Sequence, residues 1–182
     1  AAFVAYADTN EKAASAALAD FGGQYATGDP QRVINDDKIE AVYICTRHDS
    51  HAMLAIAAAR SGKHILVEKP LLAPQNKELE ALAKMAHAKG VVCYTAYNHR
   101  FEPHFQRMKQ TIDSGQLGKI YCVRMFYGNG TARLVRNSPW RDQGSGVLPD
   151  LGSHLLDTVL FWFGKPAAAF DIYSYNRFEN RT

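Results

Sequence analysis

Residues 41–70, AVYICTRHDSHAMLAIAAARSGKHILVEKP, hold two short apolar runs, Ala41-Val42-Tyr43-Ile44-Cys45 and His64-Ile65-Leu66-Val67. Runs of this length rich in β-branched residues are typical of strands buried on both faces. Between them, Ala52 to Arg60 is built of good helix formers, and Gly62 stands where a helix stop belongs. The stretch therefore predicts strand, helix, strand, the crossover unit of an open parallel sheet.

The same alternation extends in both directions. Phe3-Val4-Ala5-Tyr6-Ala7 is apolar enough for another buried strand, Asp8-Thr9-Asn10 supplies capping groups, and Glu11 to Phe21 has a helical pattern. Asp29-Pro30 predicts the start of a short helix through Ile34. Pro74 opens a long helix ending near Gly90, and Val91 to Thr95 is again strand-like. Residues 1–100 thus predict an α/β, Rossmann-like parallel sheet with helices on both faces. From Phe101 the pattern changes to a helix ending near Ser114, a longer strand from Lys119 to Tyr127, and a loop from Gly128 to Gly146. A helix from Leu151 to Phe163, stopped by Gly164, and a strand from Ala168 to Tyr175 follow. Residues 101–182 predict the start of a second, α+β domain with a mainly antiparallel sheet.

Composition narrows the function. The 21 Lys and Arg are scattered among 18 Asp and Glu, and the net charge of +3 forms no basic stripe, so nucleic acid is not an expected partner. No apolar run approaches the roughly 20 residues of a membrane-spanning helix, and no cleavable leader opens the chain, so a membrane role is not expected either. Cys45, Cys93 and Cys122 are odd in number and form no C-x-x-C pair, which fits a reducing, cytoplasmic setting. Neither G-x-S-x-G, H-E-x-x-H nor a P-loop occurs.

Several polar residues stand at predicted strand ends, the edge where open α/β sheets bind ligands. Asp8 can accept hydrogen bonds from a ribose diol and would repel a 2′-phosphate, favouring NAD over NADP; it can equally cap the following helix. Thr46 and His51 flank the next strand end. His48 and His51 lack a third ligand at a recognisable spacing, so no metal site is expected. Glu68-Lys69-Pro70 ends a strand on two opposite charges and a proline, and the turn directs Lys69, which can hydrogen-bond to or protonate a substrate oxygen or simply bound the turn as a surface pair. Asp150 and His154 are four apart at a predicted helix start, so the carboxylate can orient the imidazole as a base for a hydroxyl proton. An N-cap aspartate beside a half-buried histidine gives the same spacing. Tyr97-Asn98-His99-Arg100 and Trp140-Arg141-Asp142 offer further polar groups, or interdomain packing and loop solvation.

Taken together, three segments resemble the Gfo/Idh/MocA family of oxidoreductases: Ala59 to Pro70 (ARSGKHILVEKP), Asn98-His99-Arg100-Phe101, and Gly146 to Asp157 (GVLPDLGSHLLD). The resemblance runs through essentially the whole chain. It implies a nicotinamide-dependent enzyme acting on a hydroxyl of a sugar, sugar nucleotide or polyol, with Lys69, Asp150 and His154 as catalytic residues and His154 as acid/base. It further implies NAD contacts from Asp8, Thr46, His51, Glu68, Lys69 and Asn98, and substrate contacts from Lys69, Arg100, Trp140, Arg141, Asp150 and His154. A C-terminal sheet supporting a homo-oligomer is also implied.

The chain departs from the family pattern at Arg47-His48, where Pro-Asn usually follows the strand-end threonine. It also opens at what should be the second strand, without the first strand and its G-x-G-x-x-G turn, and it is shorter than the family at the C-terminus. A sheet lacking that strand is expected to be split, and the isolated chain to bind NAD weakly or not to fold. The same hydride chemistry also serves glycosidases that oxidise transiently, and a non-catalytic NAD-binding regulator would keep the fold while losing the three catalytic residues.

Overall fold

The structure is a computed structural model that describes residues 2–71, 76–128 and 148–165. The chain divides into two compact units, Ala1–Ala96 and Tyr97–Thr182.

The first unit alternates strand and helix: β1 (Ala5–Ala7), α1 (Glu11–Phe21), β2 (Tyr25–Thr27), α2 (Pro30–Ile34), β3 (Ala41–Ile44), α3 (His51–Arg60), β4 (His64–Val67), α4 (Asn76–Lys89) and β5 (Cys93–Thr95). Local chemistry sets the boundaries. The Asn10 side chain caps α1 by accepting from the Lys12 N–H, and Asp29 caps α2 by accepting from Gln31 N–H ahead of Pro30. Gly62, at φ +72°, takes the left-handed conformation that ends α3, donating its N–H to the Ala59 carbonyl.

Among the described residues all strand pairs are parallel, in two sheets: β1 with β2, and β3-β4-β5. A split sheet is what the sequence predicts. The short β2, in contrast, is not foreseen, because Tyr25-Ala26-Thr27 has no apolar run to mark it. Val42, Ile44, Ile65 and Val67 point into the core with α3 and α4, where Ala55, Ala58 and Ala59 are completely buried. These small side chains let the helix lie close on the sheet. Burial on both strand faces is not found: Tyr43 (52% exposed), Leu66 (40%) and Tyr94 (36%) point the other way. That face and β1, with Ala13, Ala14 and Ala17 of α1, line an open apolar cleft of about 810 Å³, so the second face is not closed by a packed helix.

The second unit contains a 3₁₀ turn (Asn98–Phe101), α5 (Pro103–Asp113), a single π-type turn (Leu148–Gly152) and α6 (Ser153–Phe163). Here the expected strand Lys119 to Tyr127 is irregular chain, because a strand needs a hydrogen-bonding neighbour and none pairs with it among the described residues. The expected strand Ala168 to Tyr175 and the loop from residue 129 to Gly146 lie outside the described residues. Trp162 Nε1–H donates to the Phe105 carbonyl at 3.0 Å and its ring lies against Phe105, joining α5 to α6.

Candidate active site

In the first unit the candidate residues gather where the strands end. Asp8 follows β1; its Oδ1 accepts from the Asn10 N–H at 2.8 Å, and its own N–H donates to Thr27 at 3.1 Å. Glu68 follows β4 and accepts from the Tyr43 hydroxyl at 2.7 Å. That hydrogen bond, with desolvation and the charge of Glu68, pushes the Tyr43 phenol up to about 12. The Cys45 thiol is also pushed up, first by desolvation and then by the charges of Glu68 and Asp8. Asp8, Cys45 and Thr46 line one cleft, and Glu68 is tied to Tyr43 on its wall, so the ends of β1, β3 and β4 share an acidic rim. Thr46 Oγ1 lies 2.6 Å from Ser50 Oγ, and Lys69 is half-buried, joined to Pro70 by a cis peptide bond.

His51 is completely buried. Its Nε2 lies 2.9 Å from the Thr46 carbonyl and its Nδ1 3.0 Å from the Pro70 carbonyl. The ring therefore ties the end of β3 to the turn that carries Lys69, through contacts inside the protein.

In the second unit Asp150 sits in the π-type turn and His154 in the first turn of α6, so the predicted four-residue spacing spans a change of helix type. His154 is 7% exposed. Three rings enclose it: His99 (centroids 4.6 Å apart), Tyr127 (5.6 Å, stacked) and Tyr97 (5.9 Å, edge-on). Burial pushes the Tyr97 phenol up, opposed by its hydrogen bond with Ser153. Arg100 holds Asp157 with two hydrogen bonds, Nε to Oδ2 at 2.8 Å and Nη2 to Oδ1 at 2.6 Å. Asn98 is exposed on the turn. Trp140 and Arg141 lie outside the described residues.

Residues 1–97 match the oxidoreductase family with the NAD-binding Rossmann fold of the Gfo/Idh/MocA group, and residues 105–180 match the C-terminal domain of the same group. The chain belongs to the Gfo/Idh/MocA family. It is 36% identical over 89% of its length to levoglucosan dehydrogenase of Pseudarthrobacter phenanthrenivorans, of which it covers 43%. It is 32% identical over 82% of its length to an NADP(+) scyllo-inositol 2-dehydrogenase of Bacillus subtilis, of which it covers 42%. Among solved structures, levoglucosan dehydrogenase in complex with NADH and levoglucosan superposes with a TM-score of 0.79 at 34% identity, over 90% of this chain and 45% of that one. The chain thus spans less than half the length of these relatives.

Two groups at the site escape sequence reasoning. Glu102 and Tyr127 both bond to His99. The i, i+3 spacing of His99 and Glu102 was a readable signal, whereas Tyr127 is 28 residues away and only folding brings it close.

Proposed function

We propose that this chain carries the proton-handling residues of an NAD(P)-dependent oxidoreductase that moves hydride between a nicotinamide and a hydroxyl of a sugar, sugar nucleotide or polyol. The observation that carries the reading is His154, secluded from water by three rings one turn after Asp150 in a chain of this family. Oxidising an alcohol requires a base at the hydroxyl as hydride leaves carbon. When bound, the nicotinamide supplies the hydride acceptor. His154 takes the hydroxyl proton, Asp150 orients the imidazole, and Lys69 assists. Trp140 and Arg141 complete the substrate contacts in this proposal.

The donor set of the first unit fits the cofactor. Asp8 keeps Oδ2 for a ribose diol after Oδ1 takes the Asn10 N–H, and the negative rim it forms with Glu68 favours NAD over a 2′-phosphorylated form. Thr46, Glu68, Lys69 and Asn98 offer further contacts. His51 and Arg100 serve in this proposal by holding the site, since their polar atoms face Thr46, Pro70 and Asp157. Residues 101–182 belong to a second domain whose sheet supports a homo-oligomer, and the free thiols suit a reduced cytoplasm.

The test is NADH absorbance in the intact protein over a panel of polyols, aldoses and nucleotide sugars. Accumulating NADH is expected; a hydrolase that recycles its hydride would release product without it. Replacing Lys69 or His154 by Ala should depress turnover far more than cofactor binding. Unchanged turnover in both variants refutes the assignment.

A further inference from the structure

Beside His154 lies a hydrogen-bonded chain of three side chains that the reaction outlined above leaves unused. His99 Nδ1 is 2.5 Å from Glu102 Oε1, and His99 Nε2 is 3.1 Å from the Tyr127 hydroxyl. Phe105 stacks on the His99 ring, with centroids 5.0 Å apart and planes within 8°, so the ring plane is fixed. A carboxylate only accepts, so Nδ1 carries the proton and donates it to Glu102. In the neutral ring, Nε2 is then an acceptor, and the Tyr127 hydroxyl donates to it. With its single proton spent, Tyr127 Oη presents only lone pairs to a neighbour.

We propose that Tyr127, held in this state by His99 and Glu102, is a specificity residue that accepts a hydrogen bond from a second substrate hydroxyl, adjacent to the one that reacts at His154. The inference rests on the oxidoreductase reading and deepens it. It names the substrate class as a vicinal diol. The stacking of Tyr127 on His154 puts the acceptor oxygen on a ring directly neighbouring the base. Selection follows from polarity: a hydroxyl can donate to Oη, whereas hydrogen, an ether oxygen or a carbonyl at that carbon leaves it without a donor. Tyr127 would touch substrate, while His99 and Glu102 are positioning residues acting through it.

The experiment compares, in the intact protein, whichever polyol of the panel turns over with the analogue in which the adjacent hydroxyl is replaced by hydrogen. The wild type should prefer the diol by about 10²-fold in kcat/KM, below the limit for a fully buried site because Tyr127 is only half-buried. Tyr127→Phe should lose most of that preference by slowing the diol alone. Glu102→Gln should reduce it about tenfold, because the neutral amide no longer fixes the charge that orders the chain. His104→Gln is the control: His104 also meets Glu102, at 3.1 Å, but is exposed and should leave the preference intact. A packing role for Tyr127 would change both substrates equally, and that result overturns the proposal. Nitrogen-15 spectra of the His99 ring supply a readout independent of turnover: protonated Nδ1 with acceptor Nε2 is expected, and either the opposite tautomer or a doubly protonated ring, whose Nε2 would donate to Tyr127, overturns the ordering. Absence of turnover on every compound refutes the oxidoreductase reading and this proposal with it, whereas turnover without diol preference refutes this proposal alone.

Discussion

Arg100→Ala tests how the second unit holds the helix that carries His154. Arg100 stands on the turn after the first unit, Asp157 on α6 one turn beyond His154, and the fork between them is bidentate. The Asp157 side chain is 8% exposed and that of Arg100 34%. Removing the arginine leaves a carboxylate buried without its counter-charge, which costs about 3–5 kcal/mol for a fully buried pair. The partial exposure of Arg100 admits water to the gap and lowers the expected loss to about 2–3 kcal/mol. Arg100→Lys keeps the charge but not the planar fork and should lose about 1 kcal/mol. Adding Asp157→Asn to Arg100→Ala removes the stranded charge and should recover at least about 1 kcal/mol, the mark of a true pair. Urea unfolding followed by tryptophan fluorescence is the assay, since Trp162 lies on α6 and its indole is bonded across to α5. With a slope of about 1–3 kcal/mol/M, the Arg100→Ala midpoint should fall by roughly 0.7–3 M. A loss below about 0.5 kcal/mol, or a double variant less stable than Arg100→Ala, would refute the argument.

Three further outcomes follow from the first unit. His51→Ala should destabilise it by about 1–3 kcal/mol, because a buried carbonyl that accepts from the single ring N–H loses its donor, and a thermal melt with a near wild-type midpoint would show the clamp to be idle. Tyr43 titrates near 12 in the folded protein against an ordinary value near 10, so its contribution to stability is complete below about 10 and is lost as pH rises through about 12. Tyr43→Phe should therefore flatten the alkaline unfolding curve over that window, and an unchanged curve counts against the Glu68 bond. Cys45 should alkylate only at pH above that of an ordinary thiol, as read by peptide mass mapping, and Asp8→Asn or Glu68→Gln should bring the midpoint down; if neither does, the acidic rim is wrong.

The sequence announces the alternating α/β plan because its helices are capped by named side chains and its strands are compact apolar runs. Segments whose structure depends on a partner are legible only in part. β2 has three residues of mixed polarity and exists through its ladder to β1. Lys119 to Tyr127 has the strand composition but no ladder among the described residues. Lys69, Asp150 and His154 are readable as motifs because each sits at an element boundary. The ring cage around His154 is not, since Tyr97, His99 and Tyr127 come from two distant stretches of chain. The identity of the helix turn at Asp150 also escapes a spacing argument, as α and π turns share the same residues.

His51 and Arg100 show that a residue expected at a ligand edge can also be committed to the protein itself. Each was singled out by position and chemistry, and each spends polar atoms on the protein itself: a ring N–H on a backbone carbonyl for His51, a guanidinium fork on a buried carboxylate for Arg100. The energetic reason is that a buried acceptor left alone costs about 1–3 kcal/mol, so a side chain that satisfies it is retained even when no ligand is touched. The consequence for mutagenesis is specific. Loss of activity in His51→Ala or Arg100→Ala does not identify a ligand, because the turn bearing Lys69 or the helix bearing His154 moves with it. The discriminating measurement is the ratio between substrates. A residue that only holds a turn or a helix in place, as argued for His51 and Arg100, lowers kcat for all of them alike, whereas Tyr127 in the arrangement proposed above, with the two groups that orient it, changes the ratio between a diol and its deoxy analogue.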